Sequence, residues 1–271
     1  MKKKLIIVLV SIIVLLSIIL IYSSKVTTHS IKVVEYGIID NKLPNEYHGL
    51  KIVHFSDISY VKSTTIKELE KLVKKINDLN PDVVVFTGDL FHKNIKITDK
   101  EKDKIKSLLS KINAKYEKYA ILGDSDLKFK DAFYQILSDD FIILDNGINL
   151  LYITSSKPIR FMGLNNINKE EIISDEEENI LYNILLLHKP DDLEKLKNKY
   201  NLVFAGHSMG GQIKLPFYGP LIKLKGAKKY ISGEYDYNGA KLFVSDGIGS
   251  QSVNMRINNK PKINLYRIYN H

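Results

Sequence analysis

The sequence predicts one mixed α/β domain, built on two β-sheets and carried behind a single membrane-spanning helix. Three observations predict it. An apolar run fills residues 5–22 behind MKKK. Amphipathic segments with helix-capping signals alternate with short β-branched strands. Five apolar strands then end in an aspartate or a histidine: Asp57, Asp89, Asp124, His188 and His207.

The amino-terminal run comes first. It is apolar except for Ser11, Ser17 and Tyr22, and as a helix it spans about 27 Å at ~1.5 Å per residue, close to the hydrocarbon thickness of a bilayer. That is long for a signal-peptide core, and the following SSKVTTHS offers no small-residue cleavage site. The reading is an uncleaved signal anchor over residues 1–25, with a cleaved signal peptide as the alternative. Lys2, Lys3 and Lys4 outweigh Lys25 across the run. This places the amino terminus in the cytoplasm and residues 26–271 outside the cell membrane.

Bulk composition narrows the body. The chain has 271 residues, 44% hydrophobic and 26% charged, ordinary for a globular protein. No linker or internal repeat divides residues 26–271. Cysteine is absent, so any transition-metal site must use histidine and carboxylate. The formal charge is +9, four of it in the lysines at residues 2, 3, 4 and 25. The remaining lysines are scattered among acids, and no basic-aromatic module reads as a nucleic-acid binder. The expected partners are the lipid bilayer and a phosphate-containing substrate or ligand, lipid-linked ones among them; no nucleic acid is expected, and the sequence leaves the oligomeric state open.

In chain order, strands are expected at 31–36 and 51–55, the second leading into Ser56-Asp57-Ile58-Ser59. Thr65-x-x-Glu68 is a capping box before a helix with Ile66, Leu69, Leu72, Val73, Ile76 and Leu79 at helical spacing. Residues 82–86 hold a continuous β-branched run, the mark of a strand buried on both faces, and deliver Gly88-Asp89. Thr98-x-x-Glu101 opens a second helix, and a strand at 119–122 delivers Gly123-Asp124-Ser125-Asp126. A short helix at 132–137 and a strand at 141–144 follow. Asp145-Asn146-Gly147 reads as a hairpin-type turn before strands at 148–153 and 159–164. The acidic stretch 169–178 reads as a solvated helix or loop. A strand at 184–187 delivers His188, a short helix is expected at 191–197, and residues 202–205 lead into Gly206-His207-Ser208-Met209. Strands at 242–244 and 263–268 are expected to complete the second sheet.

Carboxyl ends of strands line the ligand crevice in open α/β sheets. Three carboxylates gathered there repel one another unless a cation neutralises them. With imidazole alongside, the donor set suits Mn, Fe, Zn or Mg.

These blocks resemble the calcineurin-like metallophosphoesterases, which read D-x-H, G-D, G-N-H-[DE], H and G-H-x-H. Gly-Gly-Gln212, the QIKLP at 212–216 and LFVSDGIG at 242–249 are similar to a membrane-anchored bacterial branch that includes UDP-diacylglucosamine hydrolases. The resemblance implies a metallophosphoesterase-type α/β sandwich of two mixed sheets flanked by helices. It also implies hydrolysis of phosphodiester or pyrophosphate bonds at the membrane. By the same resemblance, Asp89, Asp124, His188 and His207 hold one divalent ion, with Asp57 a weaker member. The second ion's histidines are replaced by Ser59 and Met209, and the catalytic histidine by Ser125, which cannot act as a general acid unaided. One ion is therefore expected rather than two, with impaired turnover. An inactive pseudoenzyme serving as a membrane-tethered binding or scaffold domain is the alternative, so whether the chain is an enzyme stays open. His54 should face away from Asp57 on its strand; His92 reads as a solvated loop residue, with reach to the site as the alternative, and Asp126 as a loop-orienting acid.

Overall fold

A computed structural model describes residues 2–60, 64–153, 157–165, 167–169, 182–251 and 253–270. α1 (Lys2–Lys25) is a single helix. Its most apolar window has a mean hydropathy of 3.3 and none of it is buried against the body, so it is long and apolar enough to cross a membrane. The first half of the body alternates strand and helix: β1 (Lys32–Ile39), β2 (Leu50–Phe55), α2 (Ile66–Asp78), β3 (Val83–Phe86), α3 (Asp99–Leu109), β4 (Glu117–Ala120), α4 (Lys130–Leu137) and β5 (Ile142–Ile143). The second half is mostly strand: β6 (Gly147–Leu151), β7 (Ile159–Leu164), β8 (Tyr182–Leu187), β9 (Leu202–Ala205), β10 (Lys214–Leu215), β11 (Gly219–Pro220), β12 (Gly233–Tyr237), β13 (Ala240–Val244) and β14 (Lys262–Tyr269).

Two six-stranded mixed sheets result, ordered β1-β14-β2-β3-β4-β5 and β12-β13-β9-β8-β7-β6, with β10 and β11 as a separate hairpin. Each sheet has a parallel centre and an antiparallel neighbour, β14 against β2 in one and β12 against β13 in the other. The layer between them is apolar and buried, with Ile52, Val85, Tyr119, Phe161, Phe204 and Tyr266. α2, α3 and α4 cover the other face of the first sheet through Leu69, Leu72, Ile76, Ile105 and Phe133. Leu193, Tyr200 and Tyr230 cover the second. This is the α/β sandwich that the sequence anticipates. Both capping boxes form: Glu68 accepts from the Thr65 backbone at 2.9 Å, and Glu101 from that of Thr98 at 2.9 Å.

Several local expectations fail. Asp145-Asn146-Gly147 is not a hairpin, because β5 stays in the first sheet while β6 starts the second. The Asp145 carboxylate is taken by Lys130, Tyr134 and Asn165, which holds a crossover in place of a tight turn. β14 does not complete the second sheet. It slots between β1 and β2, where Tyr266 packs against Phe243 and Phe204 across the interface. The second sheet gains β12 instead, paired with β13 through the Asn238-Gly239 turn. The helix expected at 191–197 is a 3₁₀ turn, Pro190–Lys195. The acidic stretch 169–178, beyond Lys169, lies outside the described residues.

One consequence of register matters for the site. β1 runs antiparallel to β2 through their shared neighbour β14, with Lys32 paired to Lys262 and His54 to Asn264. The end of the sheet where β1 begins, next to α1, is thus the end where β2 finishes and Asp57 follows.

Candidate metal centre

Both sheets deliver their carboxyl ends to one place. Asp57 and Asp89 follow β2 and β3; His188 and His207 follow β8 and β9. The backbone there departs from ordinary strand geometry. Asp57, Ser59, Asp89, His207 and Met209 all have φ between 49° and 64°, left-handed conformations that non-glycine residues adopt only under constraint. Close approach also explains one glycine: a Cβ at Gly206 would fall on Ser56 Oγ and press on Asp57 Oδ2.

Asp89, His188 and His207 are buried and place one ligand atom each within 4.8 Å of one another. His188 Nε2 lies 3.5 Å from Asp89 Oδ2 and 3.2 Å from His207 Nδ1. The other nitrogen of each ring meets a backbone carbonyl: His188 Nδ1 at 2.8 Å from Thr87 O, and His207 Nε2 at 2.9 Å from Lys225 O. A carbonyl can only accept, so each ring gives its proton outward and turns a lone pair inward. This is the usual support of a metal-ligating histidine. Two inward lone pairs beside a carboxylate need a positive charge between them. Burial opposes a charge on His188, but Asp89 and Asp57 outweigh it and push its pKa up to about 10. That charge can be a proton on His188 or a divalent cation held by the inward nitrogens. His207 moves the other way, lowered by burial and by the charged His188. The donor set fits one ion.

Asp57 stands beside this trio. Its Oδ2 accepts from His207 N at 2.9 Å, while Oδ1 is buried without a hydrogen-bond partner. Burial, then Asp89, push its pKa up to about 6 against the pull of His188. Asp124 is not gathered in. Its side chain is half exposed and pairs with Lys189 Nζ at 2.6 Å, although it lines the same cleft. Ser125 holds Asp89 through its backbone, N to Oδ1 at 2.8 Å. Asp126 is wholly buried and accepts from the backbone N–H groups of Asp89, Gly123 and Phe91 at 2.7, 2.9 and 3.2 Å, which fixes the loops around the site. His54 faces the layer between the sheets, bonded to Thr87 Oγ1 at 2.8 Å and packed on Phe204 and Tyr266. Burial pushes its pKa down to about 3. His92 lines the cleft, with Nε2 at 3.3 Å from Gln251 O.

The other half of the site is filled differently. Met209 is buried, and its Sδ lies 3.6 Å from Nη2 of Arg256. Arg256 is wholly buried and donates to Gly249 O at 2.6 Å and Asp246 O at 2.9 Å. Burial lowers its pKa to about 10, with Asp246 and Asp57 opposing, so it stays charged at neutral pH. Neither Arg256 nor Gln251, which reaches Asp89 Oδ2 at 3.4 Å, stands out in the sequence. Both follow the last strand tip and lack a motif of their own. The cleft has a volume of about 280 Å³, and Lys93 and Lys128 stand on its rim.

A family model described as calcineurin-like phosphoesterase matches residues 50–211. The chain is 31% identical to the metallophosphoesterase YkuE of Bacillus subtilis over 91% of its own length and 88% of the relative's. It is 26% identical to UDP-2,3-diacylglucosamine pyrophosphatase LpxG of Chlamydia muridarum, over 66% of this chain and 70% of that one. A transmembrane protein with metallophosphoesterase domain from Danio rerio is 25% identical over 86% of this chain and 56% of its own.

Proposed function

The chain belongs to the calcineurin-like phosphoesterase family, and from that premise we propose that it is a membrane-anchored hydrolase of pyrophosphate or activated phosphodiester bonds that works with one divalent ion. The observation that carries this reading is the trio Asp89, His188 and His207, with both rings held by carbonyls so that their lone pairs meet. Two imidazoles and a carboxylate favour Zn, Fe or Mn over Mg. A divalent ion held by these residues, with Asp57 adjacent, would supply a Lewis-acid charge to a phosphoryl oxygen and acidify a water.

The chain's own residues do the rest. Lys93 and Lys128 on the rim attract a phosphate-bearing substrate. Asp126 and the Ser125 backbone fix Asp89. Asp124, paired with Lys189, lies at the wall of the cleft and closes on the ion only if Lys189 releases it. With Ser125 where a general acid would stand, the site favours leaving groups that need no proton. A phosphate leaving group, with a pKa of about 6, meets that condition, and an alkoxide does not. This supports pyrophosphate cleavage, the bond that the name of LpxG indicates for that relative. Residues 1–25 serve as the anchor and residues 26–271 as the outward-facing hydrolase domain. The positive flank Lys2–Lys4 supports that orientation.

A second reading, a membrane-tethered binding domain without turnover, is favoured by Ser59, Met209 and Ser125 together. One experiment separates the two. The full chain is purified in detergent, its metal counted by mass spectrometry, and hydrolysis of a nitrophenyl phosphodiester and of a nucleoside diphosphate sugar is measured with added Mn²⁺. One ion per chain with turnover of both, and none of a dialkyl phosphate, is expected. One ion without any turnover selects the binding domain. No bound metal overturns the proposal.

A further inference from the structure

The hairpin after the last strand tip exposes an unusual amount of apolar surface. Its strands β10 and β11 carry Leu215, Phe217, Tyr218 and Leu221 at the tip and flank. Phe217 is fully exposed, Tyr218 is 76% exposed, and Leu215, Leu221 and the adjoining Ile222 are 41–50% exposed. Leu215, Phe217, Tyr218 and Leu221 lie outside the small cavity at the hairpin's root. Ile213 and the half-exposed Ile222 line that cavity with Met209 and Val253, and it holds only about 20 Å³. The hairpin is also firmly held at its root. Gln212 donates to Met255 O at 3.0 Å and accepts from Gln251 N at 3.2 Å, and Lys214 N bonds Ile257 O at 3.0 Å. A rigid root with aromatic groups held in water is costly for a soluble protein and useful for one that docks.

What covers it follows from its neighbours. The segment that grips the hairpin root also touches the end of α1: Arg256 N bonds Ser23 O at 3.3 Å, one residue from the Ile257–Ile213 bridge. The hairpin therefore emerges beside the point where the apolar helix enters the body. Around it the chain is basic, with Lys214, Lys223, Lys225 and Lys228 and no acid between residues 213 and 233, while Lys229 is taken by Glu194. Lys25 stands exposed at the helix end. An apolar, aromatic tip within a lysine collar is the composition of a segment that lies in the interface of an anionic membrane.

We propose that the β10–β11 hairpin is a second membrane contact, inserting Phe217, Tyr218 and Leu215 into the headgroup region of the bilayer that α1 crosses, and so presses the metal cleft against the lipid surface. This rests on the reading of α1 as a membrane span. It extends that reading from anchoring to orientation: the strand tips lie at the anchor end of the sheet, and the hairpin follows His207 by fewer than ten residues. Substrates held in the interface then reach the cleft, and the hairpin fixes their approach.

The absence of cysteine makes the test direct. Single variants of the full chain, Phe217→Cys, Ile13→Cys and Lys42→Cys, are labelled with an environment-sensitive fluorophore and reconstituted into vesicles of phosphatidylcholine and phosphatidylglycerol. Phe217 touches no core, so its replacement leaves the fold intact. Lys42 lies past the far end of β1, about 26 Å along the strand at ~3.3 Å per residue, and reports the solvent-facing end. The expected result is quenching at 217 by lipid-borne spin labels, with iodide access lowered roughly threefold or more relative to 42. Iodide access at 217 equal to that at 42 overturns the proposal, as does shielding from both quenchers, which would place the hairpin against another protein copy. Position 13 is judged separately: lipid quenching there with water access at 217 leaves the anchor standing and removes only the hairpin contact.

Discussion

The two halves of the cleft solve the same electrostatic problem in opposite ways. On one side, Asp89, His188 and His207 bring their donors together and leave a place for an ion, each ring held by a backbone carbonyl. On the other, Asp57 faces Ser59 and Met209, and a guanidinium from Arg256 is built permanently into the protein behind the thioether. One half keeps an exchangeable charge, and the other has a covalently attached one. A fixed cation balances buried carboxylates as a metal would, but it cannot acidify water.

The largest test of this contrast is His207→Ala, which removes a donor from the ion-holding half. Bound metal measured by mass spectrometry should fall to background. Hydrolysis should drop at least ~100-fold, since even outer partners of ligands are worth 10–100-fold. Activity that survives would break the assignment. Next is Arg256→Met, on the other half. It removes the buried guanidinium beside Asp57 and Asp246, the second of which keeps Lys262 at 2.5 Å, and should lower stability by about 3–5 kcal/mol, read as a fall in melting temperature, while metal bound by the folded fraction stays at one ion. Ser125→His sharpens the comparison from the gain side: turnover of poor leaving groups should rise by ~10²-fold or more where a general acid is restored. Adding Met209→His should not add a second ion unless Arg256 is also neutralised, and a metal count of two in its presence would refute the fixed-cation reading.

Two further effects, away from the cleft, calibrate the rest. His54 is held near a pKa of about 3 by burial, against an ordinary value of about 6.5. The unfolded chain takes up its proton first, so stability is full above about pH 6.5 and falls by ~1.4 kcal/mol per pH unit below it, down to about pH 3. Urea unfolding of His54→Phe across that range should lose this slope. Thr98→Ala, at the cap of α3 far from the cleft, should cost ~1 kcal/mol with metal content and turnover unchanged. This sets the scale for a purely structural loss.

Much of the fold was legible because its signals are local. Thr65-x-x-Glu68 and Thr98-x-x-Glu101 each specify a helix start within one turn, and the Val83–Phe86 run specifies a buried strand. The strand-tip residues Asp57, Asp89, His188 and His207 were legible for the same reason, each one to three residues beyond an apolar run. What stayed hidden depends on pairing across the chain. β14 enters the first sheet because Tyr266 fits against Phe204 and Phe243, which no window of sequence contains. Arg256 and Gln251 reach the site from a loop with no periodicity. The pairing of Asp124 with Lys189 is a contact between residues 65 positions apart in sequence that competes with any ion for the same carboxylate.

The junction between α1 and the body has a last consequence. Ser23 accepts from Thr28 Oγ1 at 2.8 Å and from Arg256 N, His29 Nδ1 lies 3.2 Å from Glu68 Oε1, and β1 starts at Lys32. These contacts bond the end of the helix to the body on both sides of residues 26–31. An anchor joined in this way would favour substrates that lie close to the membrane surface.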